Sequence, residues 1–122
     1  MTKIPDSKPL YDLEERTFQF AMAIRLFVKT LPKTISNLED TKQLVRASGS
    51  VGANYREANE ALSKKDFLMR IKISRKEAKE SCYWLRLIYE TNYDNSINDA
   101  KPLMQEANEL KKIFSAILEK SK

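Results

Sequence analysis

Apolar residues recur at alternating steps of three and four positions in four segments of the chain, which is the spacing of one face of an α-helix. Helices are therefore predicted over residues 12–31, 37–62, 64–90 and 100–120, with residues 1–11 as an exposed tail. Pro32 ends the first segment, and a stretch rich in Asn, Asp and Ser at 91–99 precedes the last. The short connections predict one all-α domain of 122 residues, an antiparallel up-down-up-down four-helix bundle.

Helix starts and core lines can be assigned from the same pattern. Asn37 or a near neighbour is predicted to cap the second helix, Ser63 the third and Asp99 the fourth. The inward line of the second helix is predicted to continue to the end of that segment, through Leu44, Ser48, Val51, Tyr55, Ala58 and Leu62.

Two of the helices carry more apolar residues than the core face of a monomeric bundle requires. The surplus residues form a second line on each helix and are predicted to meet another subunit. They are Phe18, Met22 and Phe27 on the first helix, and Ile73, Trp84 and Leu87 on the third. The predicted partner is therefore a further copy of this chain.

Small residues fill the middle of the second helix, from Ala47 to Ala53, and include both glycines of the chain. Each glycine costs a helix about 1 kcal/mol relative to alanine, so we expect close backbone packing or a kink at this point. A phosphate loop is the alternative, but the stretch lacks the GK[ST] ending of such a loop and no strand precedes it.

Charge adds a second candidate surface to this picture. The chain carries a net charge of +5, and residues 64–86 alone hold eight Lys or Arg against three acids. Such a run is usually a solvated helix face, but it also suits sequence-independent contact with phosphates and a stacked base. The predicted nucleic-acid-binding residues lie opposite the core line: Lys65, Lys72, Lys76, Lys79, Tyr83 and Arg86.

Most catalytic and metal chemistry is excluded by composition. The chain has no histidine and one cysteine, Cys82, which removes Ser-His-Asp and Cys-His catalysis and the usual zinc and di-iron motifs. The glutamate pairs Glu57/Glu60 and Glu77/Glu80 are the weakest candidates for a metal or catalytic site. We expect no enzyme activity, cofactor or metal. No apolar run approaches the roughly 20 residues of a membrane span. The first twelve residues lack the apolar region of a signal peptide, so we expect a cytoplasmic protein.

The second and third helices carry a longer residue pattern. It comprises residues 43–58, then Ser63 to Phe67, then residues 76–81 with Tyr83, Trp84 and Leu85. In this pattern the sequence resembles the 23S rRNA intervening sequence protein family, over about residues 11–90. The resemblance implies a homopentameric four-helix bundle, often encoded within bacterial 23S rRNA genes, without established catalytic activity. A looser similarity is to the accessory protein of diversity-generating retroelements, a basic pentamer that engages nucleic acid.

The resemblance also singles out a polar motif, which we interpret as a network that sets helix register or subunit contacts or lines a site. Its residues are Arg46, Ser50, Asn54, Glu57, Glu77 and Glu80. The leading hypothesis is an oligomeric module that binds RNA or a ribonucleoprotein through the basic helix face. The alternative is a protein-protein scaffold that makes no direct contact with nucleic acid.

Overall fold

The computed structural model describes residues 13–122, and every secondary-structure element in that range is a helix. The tail predicted at 1–11 lies outside the described residues. The helices are α1 (Leu13–Val28), α2 (Ile35–Asn59), α3 (Lys64–Thr91) and α4 (Ala100–Lys120), with a short 3-10 helix at Asn95–Asp99 before α4. α2 packs between α1 and α3, α3 packs between α2 and α4, and α1 meets α4 more sparsely. The predicted four-helix bundle is confirmed.

The core lies along the bundle axis and receives side chains from every helix. Its largest fully buried members sit at heptad-like positions, as expected for helices that pack nearly antiparallel. They include Leu13, Ile24, Leu44, Ile71, Leu85, Ile88, Leu110 and Phe114. Tyr55 of α2 reaches across the core so that its ring centre lies 6.0 Å from that of Phe114.

The end of α1 corrects one interface assignment. Phe27 was predicted on the outer apolar line, but it is only 5% exposed and belongs to the core. The reason is periodicity, because Phe27 lies seven residues after Phe20 and two helical turns bring it back to the same face. The helix stops at Val28, and the chain turns so that Leu31 is also buried.

Both ends of α2 differ from the sequence-based expectation. Its cap is Thr34, whose hydroxyl oxygen accepts a hydrogen bond from the Asn37 backbone N–H at 3.1 Å. Asn37 is instead buried, and its side chain exchanges hydrogen bonds with Asn92 at 2.8 and 2.9 Å. Leu62 was predicted on the core line, but α2 ends at Asn59 and Leu62 is fully exposed in the connection.

The remaining helix starts are simple to account for. Ser63 caps α3 as predicted, since its hydroxyl oxygen accepts from the Asp66 N–H at 3.1 Å. Asp99 occupies the cap position of α4, but its side chain makes no capping hydrogen bond. The preceding 3-10 helix already places Asp99 in helical backbone geometry, and a side chain there is poorly placed to reach the first-turn amides.

One ion pair closes the bundle where α1 meets α4. The Arg16 guanidinium donates two hydrogen bonds to the Glu106 carboxylate, at 2.7 and 2.8 Å. This hydrogen bonding raises the pKa of Arg16 above its ordinary value. Two parallel bonds of this kind fix geometry as well as adding attraction, so they set the register of α1 against α4.

The glycines of α2 allow the close approach of α1. A Cβ atom built on Gly52 would lie 2.8 Å from Thr17 Oγ1 and 3.1 Å from Thr17 Cβ. A Cβ on Gly49 would meet only the far end of the Arg25 side chain, at 3.1 Å. Thr17 is fully buried and its hydroxyl donates toward the Leu13 and Glu14 carbonyls at 2.9 and 3.0 Å. Close packing, rather than a phosphate loop, explains Gly52.

We therefore predict opposite effects for two alanine substitutions on the same helix. Gly52→Ala should destabilise the fold, because overpacking costs about 1–3 kcal/mol and outweighs the gain in helix propensity of about 1 kcal/mol. Gly49→Ala should be neutral or stabilising, because the flexible Arg25 side chain can move aside. Chemical denaturation of both variants measures the difference. Equal stability of the two would contradict the close approach.

Candidate functional site

The six residues of the predicted basic face lie on the outer side of α3, which we call the α3 basic face. The face consists of Lys65, Lys72, Lys76, Lys79, Tyr83 and Arg86, and all six are exposed. Tyr83 retains 57% of its surface and meets the neighbouring Trp84 edge-on, at 5.0 Å between ring centres. The aromatic ring is therefore held within the row of cations with much of its surface free.

The five cations of the α3 basic face have no carboxylate partner in the described part of the chain. Three arginines elsewhere in the bundle do have acidic partners. Arg16, Arg46 and Arg56 each pair with a glutamate of another helix. The folded bundle therefore neutralises several arginines at its helix seams and leaves the positive charge of the α3 basic face to solvent or to a partner.

Five of the six family-motif residues form two clusters between α2 and α3. In the first, Arg46 contacts Glu80 at 2.5 Å and Glu77 at 3.6 Å. Glu77 is only 6% exposed, and its Oε1 atom has no hydrogen-bond partner among the described residues. A buried carboxylate depends on its cation, so Arg46 acts as the partner that holds this charge inside the seam.

The second cluster contains Ser50 and Asn54 on α2. The Asn54 amide donates to the Ser50 hydroxyl at 2.8 Å and the Ser50 carbonyl at 2.9 Å. Its oxygen accepts a hydrogen bond from Arg70 of α3 at 3.0 Å. Arg70 was not among the predicted residues, although it lies seven positions before Glu77 and hence on the same face of α3. Glu57 is exposed and joins neither cluster.

We predict that removing Arg46 destabilises the fold through Glu77. Arg46→Met keeps the apolar stem but leaves the buried carboxylate uncompensated, which should cost about 1–3 kcal/mol, less than a fully buried pair because Arg46 is half exposed. Adding Glu77→Gln should recover most of the loss. Urea denaturation of the single and double variants measures both effects.

The matched control is Arg56→Met on the same helix. Arg56 pairs with Glu14 at 3.4 Å, and both side chains are substantially exposed, so a loss below about 1 kcal/mol is expected. Should Arg46→Met and Arg56→Met cost the same, or Glu77→Gln fail to rescue, the seam does not depend on this pair.

Phe27 belongs to the core, and the other five predicted interface residues form one group on α1 and one on α3. Phe18 and Met22 are 51% and 39% exposed on the outer side of α1, and Leu26, which was not predicted, is 56% exposed beside them. Leu26 follows Met22 by four residues and therefore lies on the same face of α1. The helical spacing in the sequence is sufficient to place it there. Ile73, Trp84 and Leu87 are half-buried along α3, with the buried Trp84 indole N–H lacking an acceptor among the described residues.

Cys82 lies half-buried between α3 and α4, with its sulfur 3.8 Å from the Met104 carbonyl oxygen. Burial raises the pKa of its thiol, and the nearby Lys111 and Arg86 cations partly oppose this by lowering it.

Residues 13–122 contain no cluster of three potential metal-ligating His, Cys, Asp or Glu side chains. Within the same range, none of the helices combines the length and apolarity that crossing a membrane requires.

Comparison with known proteins identifies the family. The model of the 23S rRNA-intervening sequence protein family matches residues 11–116. The chain belongs to this family. A similar crystal structure is that of a protein of unknown function from the S23 ribosomal protein family of Bacteroides thetaiotaomicron, which is 30% identical, with a TM-score of 0.75 over 87% of this chain and 94% of the other. No curated protein matches the sequence at a significant level.

Proposed function

We propose that this 23S rRNA-intervening sequence family member is a non-enzymatic homopentamer of the cytoplasm that binds RNA or a ribonucleoprotein through the α3 basic face. The observation that carries the proposal is the row of five exposed cations without carboxylate partners in the described residues. From Lys65 to Arg86 the row extends about 32 Å along α3, at 1.5 Å per residue.

A row of this kind suits a nucleic-acid backbone because phosphates present a regular line of negative charge. Neutralising them releases condensed counterions, and this term supplies most sequence-independent binding. Tyr83 adds an exposed aromatic ring on which an unpaired base can stack. The combination of cations with one aromatic ring favours single-stranded or looped RNA over a fully paired duplex.

Assembly supports the same function in a second way. Phe18, Met22 and Leu26 give α1 an exposed apolar line that a neighbouring subunit would remove from water. The number five comes from the family resemblance and not from the periodicity. Repeating the α3 basic face around a ring raises the effective concentration of the remaining faces after one has bound, so weak contacts gain avidity.

We predict that reversing three charges of the α3 basic face weakens RNA binding without unfolding the protein. Lys72→Glu/Lys76→Glu/Lys79→Glu should weaken binding to a mixed RNA pool by roughly tenfold or more, because each reversal replaces attraction to a phosphate with repulsion. Fluorescence anisotropy with labelled RNA measures the affinity, and circular dichroism checks the fold.

The matched control is Lys29→Glu/Lys33→Glu/Lys42→Glu. It changes the net charge by the same amount at exposed lysines outside the α3 basic face. The control should retain most of the affinity. Equal losses in the two triple variants would mean that binding follows net charge, and unchanged binding by the first would remove the α3 basic face from the function.

We predict that the exposed apolar line of α1 holds the ring together. The wild-type protein should have five times the 14.2 kDa mass of one chain by light scattering, and Phe18→Glu/Met22→Glu should lower that mass because charges are costly in a buried interface. Ile35→Glu/Leu62→Glu, at two exposed apolar residues elsewhere, serves as control. A wild-type protein with the mass of one chain contradicts the assembly.

A protein-protein scaffold is the second candidate function. It is favoured by the half-buried stripe of Ile73, Trp84 and Leu87, in which the Trp84 N–H lacks an acceptor among residues 13–122. A partner protein that covered this stripe would remove its remaining apolar surface from water. Co-purification of one defined protein that survives nuclease treatment, together with failure to bind RNA, would favour the scaffold.

A further inference from the structure

A groove between α3 and α4 extends the α3 basic face onto a second helix. Its volume is about 220 Å³, and Lys79, Tyr83 and Arg86 line it from α3 while Asn108 and Lys111 line it from α4. The floor is formed by Cys82 and the fully buried Ala107. The groove thus has an apolar floor beneath a rim of three cations, one amide and one phenol.

The charged residues that line this groove are all cations. Its lining residues include no carboxylate, and none of its three cations pairs with an acid in the described part of the chain. Arg86 and Lys111 come from different helices, yet both act on the thiol of Cys82. Glu90 borders an adjoining groove, which shares Tyr83 and Arg86 with this one. Three converging cations repel one another unless an anion lies between them.

We propose that this groove is a phosphate-binding site that seats one phosphate of an RNA strand between Lys79, Arg86 and Lys111. The Asn108 amide adds a neutral donor, and the Tyr83 ring offers a surface for the base attached to the seated phosphate. The inference rests on the proposed function and adds α4 residues to it. Without Lys111 the α3 basic face is a flat row, whereas with Lys111 it contains one point where a phosphate is held from two sides.

The size of the groove matches this occupant. Pockets for drug-sized ligands usually have volumes of about 300–1,000 Å³. This groove is smaller, so it suits one phosphate group, with the attached nucleoside outside the groove. The same phosphoryl chemistry exists in a free mononucleotide and in inorganic phosphate. Both therefore serve as probes beside an RNA strand, and the comparison distinguishes a backbone site from a site for a small anion.

Cys82 gives the groove a built-in reporter, because it is the only cysteine of the chain and forms part of the floor. A phosphate seated above it blocks access to the sulfur and disfavours the reactive thiolate. The experiment measures alkylation of the wild-type protein by iodoacetamide, an uncharged reagent, from the mass of the intact chain. The additions, at constant ionic strength, are an oligouridine of about ten nucleotides, uridine monophosphate and inorganic phosphate.

We expect the oligouridine to slow alkylation about fivefold or more, with little protection by the two small anions. Lys111→Gln should lose this protection and keep most of its affinity for RNA, since the cations of α3 remain. Lys112→Gln is the matched control, because Lys112 is the next residue on α4, is exposed and does not line the groove. It should be protected like the wild type. Rates with and without ligand are compared within each variant, so a changed reactivity of the free thiol does not matter.

The outcomes separate this inference from the proposed function. If the oligouridine binds by anisotropy but leaves the alkylation rate unchanged, or if Lys111→Gln stays protected, the groove is not the phosphate site and the α3 basic face still stands. If uridine monophosphate or phosphate protects while RNA does not bind, the groove is a small-anion site and the RNA function is wrong. If RNA does not bind and nothing protects Cys82, both proposals fail.

Discussion

The packing of α3 between two other helices is the constraint on which the rest of the molecule depends. α2 and α4 cover it on either side, so that Ile71, Ala78 and Leu85 are fully buried along one line. Lysines and arginines cannot enter such a line without a paired charge. The cations of this helix must therefore lie in one of two places. One is the pair of seams with neighbouring helices, where acidic or amide side chains can pair with them, and the other is the face that points away from the bundle.

Cations occur in both places. At the α2 seam Arg70 of α3 donates a hydrogen bond to Asn54, and Arg46 of α2 pairs with Glu77 and Glu80, so these contacts link the two helices. On the outward face the lysines remain without acidic partners in the described residues. Surface ion pairs contribute little to stability, and leaving these cations unpaired costs the fold little while keeping them available to phosphates.

The close approach of α1 and α2 has a consequence for assembly. Gly52 leaves room for Thr17 between the two helices. With Thr17 on the inner side of α1, Phe18, Met22 and Leu26 lie on its exposed side. The α1 surface and the α3 basic face belong to different helices, and the two helices are not packed against each other as neighbours. Burial of the α1 surface therefore does not by itself cover the α3 basic face of the same subunit.

Much of this arrangement could be predicted from periodicity, and the exceptions have physical causes. The four helices and the exposed row on α3 follow from spacing alone. Phe27 is an exception because it lies seven residues after Phe20 and so returns to the core face. Leu62 is another because α2 ends at Asn59 without a strong stop signal in the sequence. Arg70 and Lys111 act across helix seams, and sequence spacing within one helix does not show which residues of another helix they meet.

The most direct measurement is the salt dependence of RNA affinity for the wild-type protein. Binding constants for a single-stranded RNA would be determined between low and moderate salt and plotted as logarithms. If cations without acidic partners bind the backbone, the slope should be about −2 or steeper, the value for three neutralised phosphates. An affinity that does not change with salt, or no binding at low salt, would contradict the account.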